Sequence, residues 1–78
     1  MNWILFIKHA LTVLAFSVRF DPSTIATNPR LVGMRHVLIL LHRGGKLDLF
    51  LAIVQHTFHQ YGTVLVAWLT AAIAALGF

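Results

Sequence analysis

Residues 47–78, LDLFLAIVQHTFHQYGTVLVAWLTAAIAALGF, form the stretch of sequence that decides the predicted fold. Their one formally charged residue is Asp48, near the start of the stretch. A continuous helix of this length would be about 48 Å long, which exceeds the ~30 Å hydrocarbon core of a bilayer. A chain of 78 residues has no interior large enough to bury such an element. The stretch therefore predicts a long membrane-spanning helix over residues 47–78.

This predicted helix has two unlike sides when its residues are placed at 100° intervals. Bulky apolar residues such as Trp68 and Leu69 fall on one side, where we expect lipid. The other side is polar and small, and it includes a ladder of residues four positions apart. The ladder consists of Thr63, Ala67, Ala71 and Ala75. Small residues at this spacing let a second backbone approach closely, so we predict that these four residues pack against another helix.

The composition supports a membrane protein. The chain is 59% hydrophobic and only 10% charged, with a mean hydropathy of +0.84. Soluble domains have about 45–50% apolar and about 25% charged residues. The net charge of +4 comes from few residues embedded in apolar sequence, so we expect anionic lipid headgroups as a partner and no nucleic acid. There is no cysteine, hence no disulfide.

Residues 3–20 form a first apolar segment, which we predict to be the other transmembrane helix. A cleavable signal peptide is the competing interpretation. In a signal peptide the positive charge precedes the apolar run, whereas Lys8 interrupts this one, and no A-x-A site follows. A retained helix is therefore the preferred prediction.

The middle of the chain is predicted to be a loop over residues 21–28 and then a basic helix over residues 29–43. Asn28 and Pro29 provide a helix start, and Gly44 follows its last residue. The apolar run is too short to span a bilayer, and basic residues lie opposite it. We therefore predict an amphipathic helix in the membrane interface, with a bent continuation of a transmembrane segment as the alternative. The residues expected to contact lipid headgroups are Arg35, Arg43 and Lys46.

Most of the positive charge lies between the two predicted spans. The cations concerned are Arg19, Arg30, Arg35, Arg43 and Lys46. By the positive-inside rule, this central region should face the cytoplasm of a bacterium or the mitochondrial matrix, and both ends of the chain should face outward. The expected location is accordingly the bacterial or mitochondrial inner membrane.

One dense polar cluster lies within the long helix. It consists of Gln55, His56, His59 and Gln60. Polar side chains at membrane depth usually form hydrogen bonds between helices, which is the role we predict. Depending on which residues span the bilayer, the cluster lies near its midplane or at the inner interface, and the sequence leaves both registers open. Imidazoles also ligate haem iron, so a haem-binding anchor is an alternative. No set of residues typical of a metal site or of catalysis is present, so we predict neither a metal nor an enzyme.

Together these features predict one all-α integral membrane domain over residues 1–78, a two-span transmembrane hairpin with a short amphipathic interfacial helix between the spans. The predicted function is a small non-catalytic accessory subunit, without a cofactor, that packs against larger subunits of a membrane complex. A self-assembling membrane protein, such as a holin-like pore or a pilin-like filament built from identical copies, is the second hypothesis. The haem-binding anchor of an electron-transfer complex is the third.

Overall fold

Four α-helices make up the structure, a computed structural model that describes residues 2–78. The helices are α1 (Trp3–Ser17), α2 (Val32–Arg43), α3 (Leu47–Phe58) and α4 (Gln60–Leu76). Two single turns of 3₁₀ helix, Pro22–Thr24 and Pro29–Leu31, lie between α1 and α2. Residues 2–78 contain no β-strand, so the prediction of an all-α fold is confirmed.

Helix α1 begins at a side-chain cap. Asn2 Oδ1 accepts hydrogen bonds from the backbone N–H groups of Ile4 and Leu5, at 3.1 and 3.2 Å. The helix ends at Ser17, three residues before the predicted end at residue 20. Further along the chain, Asp21 is extended, as is typical of a residue that precedes a proline.

The connection from α1 to α2 is held by polar side chains. Asp21 accepts hydrogen bonds from the backbone N–H and the hydroxyl of Ser23, at 2.9 and 2.8 Å. These bonds, the backbone one foremost, lower the pKa of the Asp21 carboxyl. Arg35 reaches back from α2, and its Nη1 donates to the carbonyl oxygens of Ile25 and Ala26, at 3.2 and 3.0 Å. The Ile25 side chain is thereby fixed in the core, where it is fully buried.

Helix α2 ends in a Schellman motif. Gly45 has φ +67°, and the N–H groups of Gly45 and Lys46 donate to the carbonyls of His42 and Leu41. The apolar face of α2, which the prediction of an interfacial helix over residues 29–43 places against lipid, is covered by protein. That face lies in the protein core because α1 and α3 pack against it. Its buried residues are Met34, Val37, Leu38 and Leu41.

The predicted continuous helix over residues 47–78 is also wrong, because the chain turns at His59. This residue has φ +52° and ψ −120°, outside the helical region, and separates α3 from α4. Helix α4 then folds back on α3. A Cβ atom placed on Gly62 would lie 2.9 Å from Gln55 Cα, so the two backbones touch where Gly62 lacks a side chain. At the other end, the ring of Phe78 stacks on that of His42 with centroids 4.1 Å apart.

The bulky side of the α3–α4 hairpin, which we expected to face lipid, forms the core. Phe50, Val54 and Leu69 are fully buried, and Trp68 is 9% exposed. The indole Nε1 of Trp68 donates to the carbonyl oxygen of Phe20 at 2.8 Å, which connects α4 to the segment that follows α1. The other helices thus supply the apolar surroundings that lipid was predicted to supply.

In the part of the chain that the structure describes, residues 2–78, no helix is both long and apolar enough to cross a membrane. The longest, α4, has 17 residues, or about 25 Å, against about 20 residues for a span. The radius of gyration is 11.3 Å, close to the ~11.5 Å expected of a folded chain of this length. The predicted two-span hairpin is therefore not supported.

Candidate functional site

The outward side of α4 is a long surface without charged side chains. We call it the α4 outer face and define it by its exposed residues Thr63, Val64, Ala67, Thr70, Ala71, Ala74 and Ala75. All four residues of the predicted packing ladder belong to it. The hydroxyl of Thr70 donates to the carbonyl of Val66 within the helix, at 2.8 Å. The face therefore offers small or apolar groups and two threonines, and the hydroxyl proton of Thr70 already has an acceptor.

The predicted polar cluster lies at the corner between α3 and α4. Gln55 Nε2 donates both to the His59 carbonyl oxygen, at 3.0 Å, and to the Thr63 hydroxyl oxygen, at 3.2 Å. The second bond joins the two helices. His56, His59 and Gln60 are exposed, and the two imidazole centroids lie 6.3 Å apart. In this arrangement Gln55 fixes the corner, while both imidazoles remain at the surface.

The backbone at the corner is strained. A residue other than glycine with positive φ costs about 1–3 kcal/mol, and His59 is the one such residue among residues 2–78. Local hydrogen bonds offset this cost: the N–H of His59 donates to Gln55 O at 3.1 Å, and the N–H of Gly62 donates to His59 O at 3.0 Å. The strain coincides with the predicted polar cluster.

Replacing His59 by glycine should relieve that strain. We expect His59→Gly to raise the free energy of unfolding by about 1 kcal/mol, because glycine adopts positive φ without a steric penalty. Thr57→Gly, an exposed position inside α3, is the matched control and should lower it by about 0.3 kcal/mol, the difference in helix propensity between threonine and glycine. Urea unfolding followed by circular dichroism measures both. A loss of stability in His59→Gly would show that the imidazole itself stabilises the corner.

His56 and His59, the residues behind the haem alternative, have exposed side chains. His9, on α1, is also exposed. Within residues 2–78, no three or more histidine or acidic side chains lie close enough together to hold a metal ion. A cleft of about 80 Å³ lies between α1 and the α3–α4 corner, with Leu14, Phe58 and Tyr61 among its lining residues. Pockets that bind small organic ligands have volumes of about 300–1,000 Å³. This cleft is too small to hold a ligand of that kind.

The three predicted headgroup-binding residues have different surroundings. The Arg35 guanidinium is hydrogen-bonded to two loop carbonyls and is only partly exposed, so its main role is to hold the loop against α2. Arg43 and Lys46 are exposed. His36, which was expected on the basic face of this helix, lies on the same side of α2 as Arg43. Leu40, which was expected on the apolar face, lies on this side as well. The spacing of four and three residues from His36 to Leu40 to Arg43 was the signal in the sequence that could have identified Leu40.

No protein-family model, curated protein or solved structure matches the chain. Function is therefore inferred from the exposed surfaces of the helices and from the contacts of their side chains.

Proposed function

We propose that this protein is a small non-catalytic subunit of a membrane protein complex and that the α4 outer face binds a larger integral membrane subunit. The observation that carries the proposal is the absence of charge from the exposed side of α4. Over the 17 residues of this helix, the outward positions are small or apolar, apart from threonine and two residues near the corner, Gln60 and Tyr61.

The kind of partner follows from the chemistry of this face. Helices within lipid associate through close backbone approach and a few hydrogen bonds, because apolar burial drives little association there. A face lined by Ala67, Ala71 and Ala75 allows such an approach. The mean hydropathy of +0.84 and the 10% charged residues are also more typical of membrane-associated chains than of soluble domains.

The polar groups near the face support a packing role over a catalytic one. Gln55 and Thr70 donate hydrogen bonds to acceptors within the protein. The two acidic residues lie in separate elements, with Asp21 capping the turn after α1 and Asp48 in the first turn of α3. A pair of carboxylates for acid–base chemistry is not part of this surface.

Enlarging one alanine should separate the partner helix from α4. We expect Ala67→Leu and Ala71→Leu each to abolish most of the association, because an isobutyl group holds the two backbones apart. Both side chains are exposed, so the fold of the chain itself should be unchanged. The measurement is affinity purification of each variant from its native membranes at matched expression, with mass spectrometry of the larger subunit that is retained.

Two controls separate side-chain size from other effects. Ala67→Ser keeps the residue small and should retain the partner. Thr12→Leu places a bulky residue on the exposed side of α1 and should also retain it. Equal recovery with Ala67→Leu and Ala67→Ser would refute the proposed contact. Recovery of identical copies in place of a larger subunit would replace it with self-assembly through the same face.

A further inference from the structure

We propose that a second surface, on α2, binds a bilayer that contains anionic lipids. We call it the α2 outer face and define it by His36, Ile39, Leu40 and Arg43, which line one shallow groove. The inference goes beyond the function proposed above, because it concerns a different helix and does not depend on the α4 outer face.

The fold determines which side of α2 is available. Met34, Val37, Leu38 and Leu41 are buried in the core, so the helix cannot roll to present them. The residues of the α2 outer face follow the spacing i, i+3, i+4 and i+7, which places them in one row along the opposite side. The surface offered by α2 is therefore cationic at its C-terminal end and apolar at its centre.

The positive charge is concentrated where α2 ends. Arg43 is exposed in the last turn, and Lys46 is exposed just beyond it. Lys46 Cγ lies close to the helix end, since a Cβ placed on Gly44 would be 3.7 Å from it. None of the residues lining the groove is acidic. Arg35 is not part of this surface, because its guanidinium is bonded to loop carbonyls.

The apolar centre distinguishes a bilayer from a small anion. Leu40 is 46% exposed although it lies one turn from the cationic Arg43. A small anion would gain nothing from this side chain, whereas at a bilayer surface leucine enters the interface while the cations contact headgroups. The net charge of +4 also draws the whole chain toward an anionic surface. An acidic protein would satisfy the cations too, and the experiment below separates the two partners.

The test is sedimentation of the full chain with vesicles. One vesicle preparation is phosphatidylcholine alone, and the other is phosphatidylcholine with phosphatidylglycerol in roughly a three-to-one ratio. We expect preferential binding to the mixed vesicles and a decrease of about fivefold in the partition coefficient for Arg43→Gln and for Lys46→Gln. Leu40→Ala should also lower the partition coefficient severalfold, by removing the apolar contact.

Matched controls test whether the site is on α2. Lys8→Gln removes the same charge from α1, and Leu49→Ala truncates a leucine of similar exposure, 44%, on α3. Both should bind nearly as well as the unaltered chain. Equal binding of the unaltered chain to both vesicle types would overturn the proposal. So would an equal loss in Lys8→Gln and Arg43→Gln, or binding to a poly-glutamate peptide without binding to vesicles.

Discussion

Gly62→Ala should lower the free energy of unfolding by about 2 kcal/mol, even though alanine is the better helix former. A Cβ atom at this position would lie 2.9 Å from Gln55 Cα, from Gln55 O and from Val54 O. All three are backbone atoms, which cannot rotate away as a side chain would, so α3 and α4 must move apart. A domain of 78 residues has a stability of roughly 4–12 kcal/mol, so this change is a large part of the total.

Gly33→Ala is the matched control. Gly33 also lies in a helix, but a Cβ there would be 3.5 Å from Val13 Cγ1, an ordinary van der Waals contact. The substitution should leave stability unchanged or raise it by up to about 1 kcal/mol, through helix propensity alone. Urea unfolding of both variants, followed by circular dichroism, measures the difference. Equal effects at the two glycines would mean that α3 and α4 do not make the close contact at Gly62.

Truncation of Trp68 should lower the stability of the fold more than the substitution at Gly62 does. We expect Trp68→Ala to lower the free energy of unfolding by about 3–5 kcal/mol, because a large side chain leaves the core. Trp68→Phe keeps most of the apolar contact but loses the donor to the Phe20 carbonyl. It should therefore cost about 1–2 kcal/mol. Chemical unfolding followed by circular dichroism compares the two variants.

Tyr61→Ala is the control for removing an aromatic residue from α4. Tyr61 is 58% exposed, so its loss should cost about 1 kcal/mol or less. If Trp68→Ala were no more damaging than Tyr61→Ala, the bulky side of α4 would not be packed in the core. That result would also restore the alternative in which this side faces lipid.

The boundaries of several elements were readable from local chemistry. Asn28 and Pro29 predicted the start of the second helical region, and Gly44 and Gly45 predicted its end. These signals are reliable because capping and positive φ depend on a few neighbouring residues. The end of α1 was misplaced by three residues, since the apolar pattern continues beyond Ser17 although the helix does not.

The corner at His59 could not be placed by such signals. Residues 55–60 contain neither proline nor glycine, and their apolar and polar spacing is compatible with a continuous helix. The turn depends on Gly62 meeting the backbone of Gln55, a contact that exists only once α4 has folded back. Gly62 within an apolar run was the one available sign that two backbones approach each other there.

For the charged residues too, the sequence predicted their positions along the chain, whereas the tertiary structure decided their surroundings. The sequence indicated a basic chain with most of its cations in the middle. It did not indicate which of these cations are free to bind a partner. Arg35 and Arg43 are alike in sequence context, yet one guanidinium is bonded to loop carbonyls and the other is exposed. The difference arises because the loop over residues 21–28 passes beside Arg35 only in the folded chain.

By itself, the sequence determined that the chain is helical and which residues share a helix face. Leu65, Trp68 and Leu69 were placed together on one side of residues 47–78, and Thr63, Ala67 and Ala71 on the other, and the structure keeps both groups on separate sides of α4. Only the tertiary structure decided what each side meets: the bulky side is buried in the protein, and the small side is exposed. The physical reason is that the hydrophobic effect is non-directional, so it favours the contact of an apolar face with any apolar neighbour. A lipid tail and a neighbouring helix satisfy the same bulky face, so its surroundings depend on how the whole chain packs.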